Sequence, residues 1–169
     1  MTPSISARID SMVQAMGDIV LPSIDENNNL AREQAQLVIA HLNLMKQQFA
    51  YADAFDRIEL ANAVQLGQQL LELTTADPGV ADDRPALEAA ISAGQSLPDR
   101  QDALRAVNGA TEAFIRALRQ RGERRSIDAM TRAVLALAQE QSHRNLVWFA
   151  SNGFDADRDS LPSIESLFA

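Results

Sequence analysis

Glu140 and His143 sit three residues apart, the spacing at which one helix face aims a carboxylate and an imidazole at a shared metal ion, as di-iron bundles do. Such a centre needs that motif twice plus two further carboxylates. Here it occurs once, and His41, the only other histidine, has no glutamate three positions away. No metal and no cofactor are therefore expected. Gln141 and Asn145 interrupt an apolar row, with Ser142 beside them and His41 expected as a partner across the bundle. They would either satisfy one another as a polar layer or line a pocket for a small polar ligand. A phosphoacceptor role for His41 needs an exposed imidazole, and its place in an apolar arc argues against that. Arg116, Arg119, Arg121, Arg124 and Arg125 crowd one turn between helices. There, cations complement a helix C-terminus or bind an anion. Asp56 and Glu59 read as a capping box, with an acidic metal cluster of Asp53, Asp56 and Glu59 as the rival.

No serine, histidine and acid set, no glycine-rich phosphate loop and no zinc or calcium pattern can be assembled. With zero cysteines there is no thiolate nucleophile, disulfide framework or Cys-ligated metal. No catalytic residue is assigned, and an enzyme is not the expected reading.

These groups lie on helices. The final helix, read as Ser126 to Ala150, carries two rows advancing by alternating steps of four and three. The main row runs Ile127, Thr131, Val134, Ala138, Gln141, Asn145 and Phe149. The second runs Ala129, Ala133, Ala136, Glu140, His143 and Val147. At about 100° per residue the rows lie on opposite sides, so this helix is expected to touch protein on both. The alanine-rich second row permits close helix approach, toward another helix of the chain or a second copy of the protein.

Helix 1, from Ser4 to Val20, is expected to bury Ile5, Ile9, Met12, Val13, Met16, Ile19 and Val20 before Leu21-Pro22 stops it. Helix 2, capped by an asparagine of the 27–29 run, carries Leu37, Val38, Leu42, Met45 and Phe49 inward. The row continues through Leu60, Val64, Gly67 and Leu71, but an unbroken helix over 30–73 would place carboxylates on the apolar stripe. A break near Asp53 to Asp56 is expected, with Asp56 capping the next helix. The stretch Thr74 to Asp83 reads as a connector. A short helix from Arg84 then ends at Gly94, and another from Pro98 to Gln120 places Leu104, Val107, Phe114, Ile115 and Leu118 inward. Ser126 caps the last helix, which stops at Asn152-Gly153. Residues 155–169 form an acidic tail that would dock through Leu161, Ile164, Leu167 and Phe168.

The 169 residues are 46% apolar and 22% charged, ordinary usage that excludes a disordered or fibrous chain. A net charge of −8 opposes a nucleic-acid partner, although Arg100 to Arg132 is locally positive. No apolar run reaches the ~18 residues of a membrane span, and the N-terminus lacks a signal-peptide pattern. A cytoplasmic, soluble protein without a membrane partner is expected. The reading is an all-α, up-and-down helical bundle of five or six helices, a single domain over 1–154, acting as a non-catalytic binding or assembly module. It would self-associate as a homodimer, with a small-molecule-binding bundle as the alternative.

Overall fold

The computed structural model describes residues 2–150 and 160–168, and among them all regular structure is helical. The protein is an all-α helical bundle. Its elements are α1 (Ile5–Ala15), a π-helical turn (Met16–Val20), α2 (Leu21–Ser23), α3 (Asn29–Phe49), α4 (Ala52–Leu73), α5 (Arg84–Gly94), α6 (Arg100–Arg121) and α7 (Arg124–Phe149). They form two compact units. The terminal unit comprises Met1–Ala52 with His143–Ala169, and the central unit comprises Asp53–Ser142.

The central unit holds a continuous hydrophobic core of Leu70, Val80, Leu87, Val107, Phe114, Leu118 and Met130 with their neighbours. Burying each of these large side chains contributes roughly 1.5–3 kcal/mol. Val107, Phe114 and Leu118 face inward on α6 as their spacing predicts. Helix α6 starts where Asp99 accepts a bond from the Asp102 N–H at 2.9 Å. Gly94 is buried inside the last turn of α5, where a Cβ would meet Val107 Cγ2 at 2.6 Å, so its role is close approach to α6 and not a left-handed cap.

The connector between α4 and α5 is a clamp. The Asp77 carboxylate accepts the N–H groups of Gly79 and Glu123, each at 2.9 Å, and a hydrogen bond from the Ser126 hydroxyl. Those three bonds outweigh burial and hold the Asp77 pKa below the ordinary carboxylate value, with the Ser126 bond the largest cause. Asp77 thus serves the α7 N-terminus from across the unit. Ser126, expected as the cap, lies within the first turn, buried, because the helix already begins at Arg124. Pro78 and Gly79 form a 3₁₀ turn directly against the α6–α7 corner, where a Cβ on Gly79 would collide with the Arg121 carbonyl. Arg84 closes the other side, donating to the Leu71 carbonyl at 2.6 Å.

In the terminal unit, Ser4 caps α1 by accepting from Ala7 N at 3.2 Å, and Asn28 caps α3 by accepting from Ala31 N at 3.2 Å. Pro22 does not end the first helix at Val20. Leu21 N–H already bonds Met16 O in the wide i→i−5 pattern, and the chain keeps one further turn to Ser23. Lys46 pairs with Asp10 at 2.6 Å, fixing α3 antiparallel to α1. The C-terminal 3₁₀ turn, Ile164–Phe168, docks through Phe168, which stacks on Tyr51 at 5.2 Å and meets Trp148 edge-on at 6.3 Å. Tyr51 Oη contacts Glu165 at 3.4 Å. Hydrogen bonds from Ser163, the Glu165 N–H and Tyr51 hold the Glu165 pKa low, the Ser163 bond contributing most. The expected stop of α7 at Asn152-Gly153 lies outside the described residues.

Candidate functional site

The candidate chemistry is spread over both units. Gln141 and Ser142 belong to the central unit, His41 and Asn145 to the terminal one. His41, Ser142 and Asn145 are exposed and Gln141 is half-buried. The apolar arc expected to place His41 inside the bundle is open to water on its side, so the objection to an exposed imidazole does not hold. Glu140 and His143 are exposed on α7, and among the described residues no group of three or more His, Asp or Glu side chains converges as a metal site would require.

Asp53 and Asp56 do not cap a helix, because the break falls earlier, at Ala50 and Tyr51, and α4 is under way from Ala52. Asp53 instead pairs with Arg57 at 2.9 Å and with Arg100, while Gln101 donates to Asp56 at 2.6 Å. These contacts tie the start of α4 to the start of α6. Being exposed, each is worth at most about 1 kcal/mol.

The arginines do not converge. Arg121 pairs with Asp83 at 2.5 Å and Arg124 with Asp128 at 3.2 Å, while Arg116 and Arg119 are exposed on α6. Arg125 and Arg132 line a cleft of about 400 Å³ at the α4–α7 end, but Glu72, Asp77 and Glu123 line it too. Three carboxylates against two guanidiniums make a poor anion site.

The two rows on α7 also resolve differently from expectation. In the central unit its buried residues are Ser126, Met130 and Ala133, an arc lying between the rows and passing through Met130, which neither row contains. Ile127 and Val134 border that arc on one side, while Thr131, Ala136, Ala138 and Glu140 are exposed. Ala133, Ala136 and Glu140 share a shallow cleft of about 100 Å³ with Asn62, Leu66 and Gln69 of α4. Ala129 is half-buried, and further along, in the terminal unit, Val147 is buried.

The largest unexpected feature is on α1 and α3. Of the apolar row expected inside helix 1, only Ile9 is buried; Ile5, Met12, Ile19 and Val20 are exposed, Ile19 by 67%. On α3 the buried residues are Ala35 and Leu44, leaving Leu30, Val38, Met45 and Phe49 exposed, at 56% for Met45 and 53% for Phe49. The signal was in the sequence: Leu37, Val38, Ile39, Leu42, Leu44 and Met45 span far more than the roughly 100° that one core-facing side needs. An arc that wide serves more than one neighbour.

The fold and this face define an all-α helical bundle with an uncovered apolar side. Comparison with known protein families, curated proteins and solved structures finds no match to this chain. Among the described residues no helix is long and apolar enough to cross a membrane.

Proposed function

We propose that the protein is a non-catalytic binding and assembly module that self-associates. The observation supporting this reading is the apolar side of the α1–α3 hairpin. Eight of its large apolar side chains are exposed by 41% or more. At roughly 100 Å² each they present on the order of 800 Å², above the few hundred Å² of the largest apolar patch on a typical monomer. Exposed area of that size lowers solubility unless a partner covers it.

Native mass spectrometry on protein purified without denaturant or chelator tests the proposal, since one spectrum reads subunit number and retained ligand together. A multiple of the 18.4 kDa chain without added mass is the expected result. A monomer carrying a reproducible small-molecule adduct would contradict it and favour a ligand-binding bundle.

A further inference from the structure

Resting on that reading, we infer that the occupant of the α1–α3 face is the same face of a second copy, the two hairpins packing into a four-helix layer around a two-fold axis near Met12 and Met45. The pattern on the face is that of a helix-packing seam. On α1, Ile5 and Met12 are seven apart, and Ile19 follows seven later in the π-helical turn. On α3, Val38 and Met45 are seven apart, Phe49 comes four later, and Gln34 and His41, also seven apart, alternate with them, whereas Gln48 is half-buried and donates to the Trp148 carbonyl at 3.0 Å within the unit. The alternating steps of four and three, 34, 38, 41, 45, are the heptad rhythm by which one helix receives another.

Both rows fall on one side of the hairpin. Helices α1 and α3 run antiparallel, so their senses of rotation oppose one another when viewed from one end. The two exposed rows, each displaced in the same sense from the side of its helix that meets the other, marked by Ile9 on α1 and by Ala35 and Lys46 on α3, then open toward the same side. The Lys46–Asp10 ion pair sets Met12 and Met45 at a common height, toward the C-terminal end of α3. The π-helical turn at Met16–Val20 retards the register, which brings Val20 as well as Ile19 to the open side.

Charge decides the class of partner. The chain carries 23 acidic residues, yet none lies in these rows, and the charges bordering them are Arg8 and the mutually neutralising Lys46–Asp10 pair. A basic protein would require carboxylates here, and a nucleic acid or anionic membrane would require a cluster of cations. A charge-depleted apolar centre is the composition of a protein interface core. The available area is about 800 Å², which matches one partner's share of a standard interface. Two identical faces meeting about a two-fold axis satisfy that requirement reciprocally. Methionine at the centre suits such a contact because its unbranched chain adapts to its own counterpart. The exposed polar positions Gln34 and His41 alternate with the apolar ones, as polar seam residues that set register do.

Light scattering coupled to size exclusion across a range of concentrations tests this on four full-length proteins: wild type, Met12→Glu, Met45→Glu and Ala136→Glu, with circular dichroism as the check on folding. A dimeric wild type, weakened about a hundredfold or more by either methionine substitution and unaffected at Ala136, is the expected result. Both methionines are exposed in the single chain, so their helices are expected to persist. If the wild type is dimeric and both methionine variants remain so, or if only Ala136→Glu dissociates it, the face assignment is wrong while self-association stands. A wild type that stays monomeric at every concentration overturns both. Because the chain has no cysteine, Met45→Cys adds a test that introduces no charge: oxidation should link two copies through that position, and failure to do so would remove the axis from Met45.

Discussion

The central and terminal units use similar apolar composition in different ways. The continuous core belongs wholly to the central unit, with Phe114 only 2% exposed and Leu70, Val107 and Leu118 fully buried. In the terminal unit Ile9, Leu44, Val147 and Trp148 are buried, but Ile19, Leu30, Met45 and Phe49 stand in water. The central unit closes a continuous core within the chain, and the terminal unit leaves the apolar side of its hairpin exposed. Amphipathic periodicity reports which residues want a neighbour, and not whether the same chain supplies it.

The largest effect that would sharpen this contrast is Phe114→Ala, expected to cost about 3–5 kcal/mol in urea unfolding because nothing near the core can collapse into the space. Met45→Ala should cost less than about 1 kcal/mol in the isolated chain and act instead on association. Equal losses of monomer stability at both positions would break the comparison.

Next is Gly79→Ala. The added Cβ would meet backbone atoms of Arg121 and Gly122, which cannot swing away as a flexible side chain would, so the overpacking should cost about 3 kcal/mol. A thermal melt unchanged from wild type would mean that the Asp77 loop is not the rigid clamp described.

Asp77→Asn should cost about 2 kcal/mol near neutral pH, since charge-assisted bonds from Gly79, Glu123 and Ser126 are weakened together. The pKa of Asp77 is lower in the folded chain than in the unfolded one. Its contribution is therefore fully present above the unfolded value and is lost as pH falls from about 4 through the folded value. Unfolding measured against pH should show this loss in wild type and a flatter profile below about pH 4 in the variant. Parallel curves would exclude Asp77 as the source.

The smallest effect concerns the terminal unit's own packing. Phe168→Ala removes a stacked and an edge-on ring contact, worth about 1 kcal/mol. It should also red-shift emission from Trp148, the single tryptophan. Unaltered emission would mean that Phe168 does not shield the indole.

Much of the fold was legible because caps and punctuation act locally. Asp99, Asn28 and the Gly94 region mark helix ends within two or three residues of where they fall, and Val107, Phe114 and Leu118 are core as their spacing requires. What was not legible depends on tertiary partners. Met130 lies between the two rows of α7 and becomes core only because the central unit meets that arc. Asp77 reads as one loop acid among several, and its role emerges only when the α6–α7 corner is brought to it. Asp56 resembles a cap, yet the helix starts four residues earlier and Gln101 takes its carboxylate. The candidate polar residues were identifiable by type, but the sequence pattern puts His41 in the interior only on the assumption that its apolar neighbours are covered.

Hydrogen exchange of the wild-type protein, measured as concentration is raised, would locate the proposed interface without altering a residue. Protection should rise in residues 5–20 and 30–49 while α4, α5 and α6 exchange at unchanged rates. Concentration-dependent protection confined to α4 and the first part of α7, with α1 and α3 unaffected, would contradict the account.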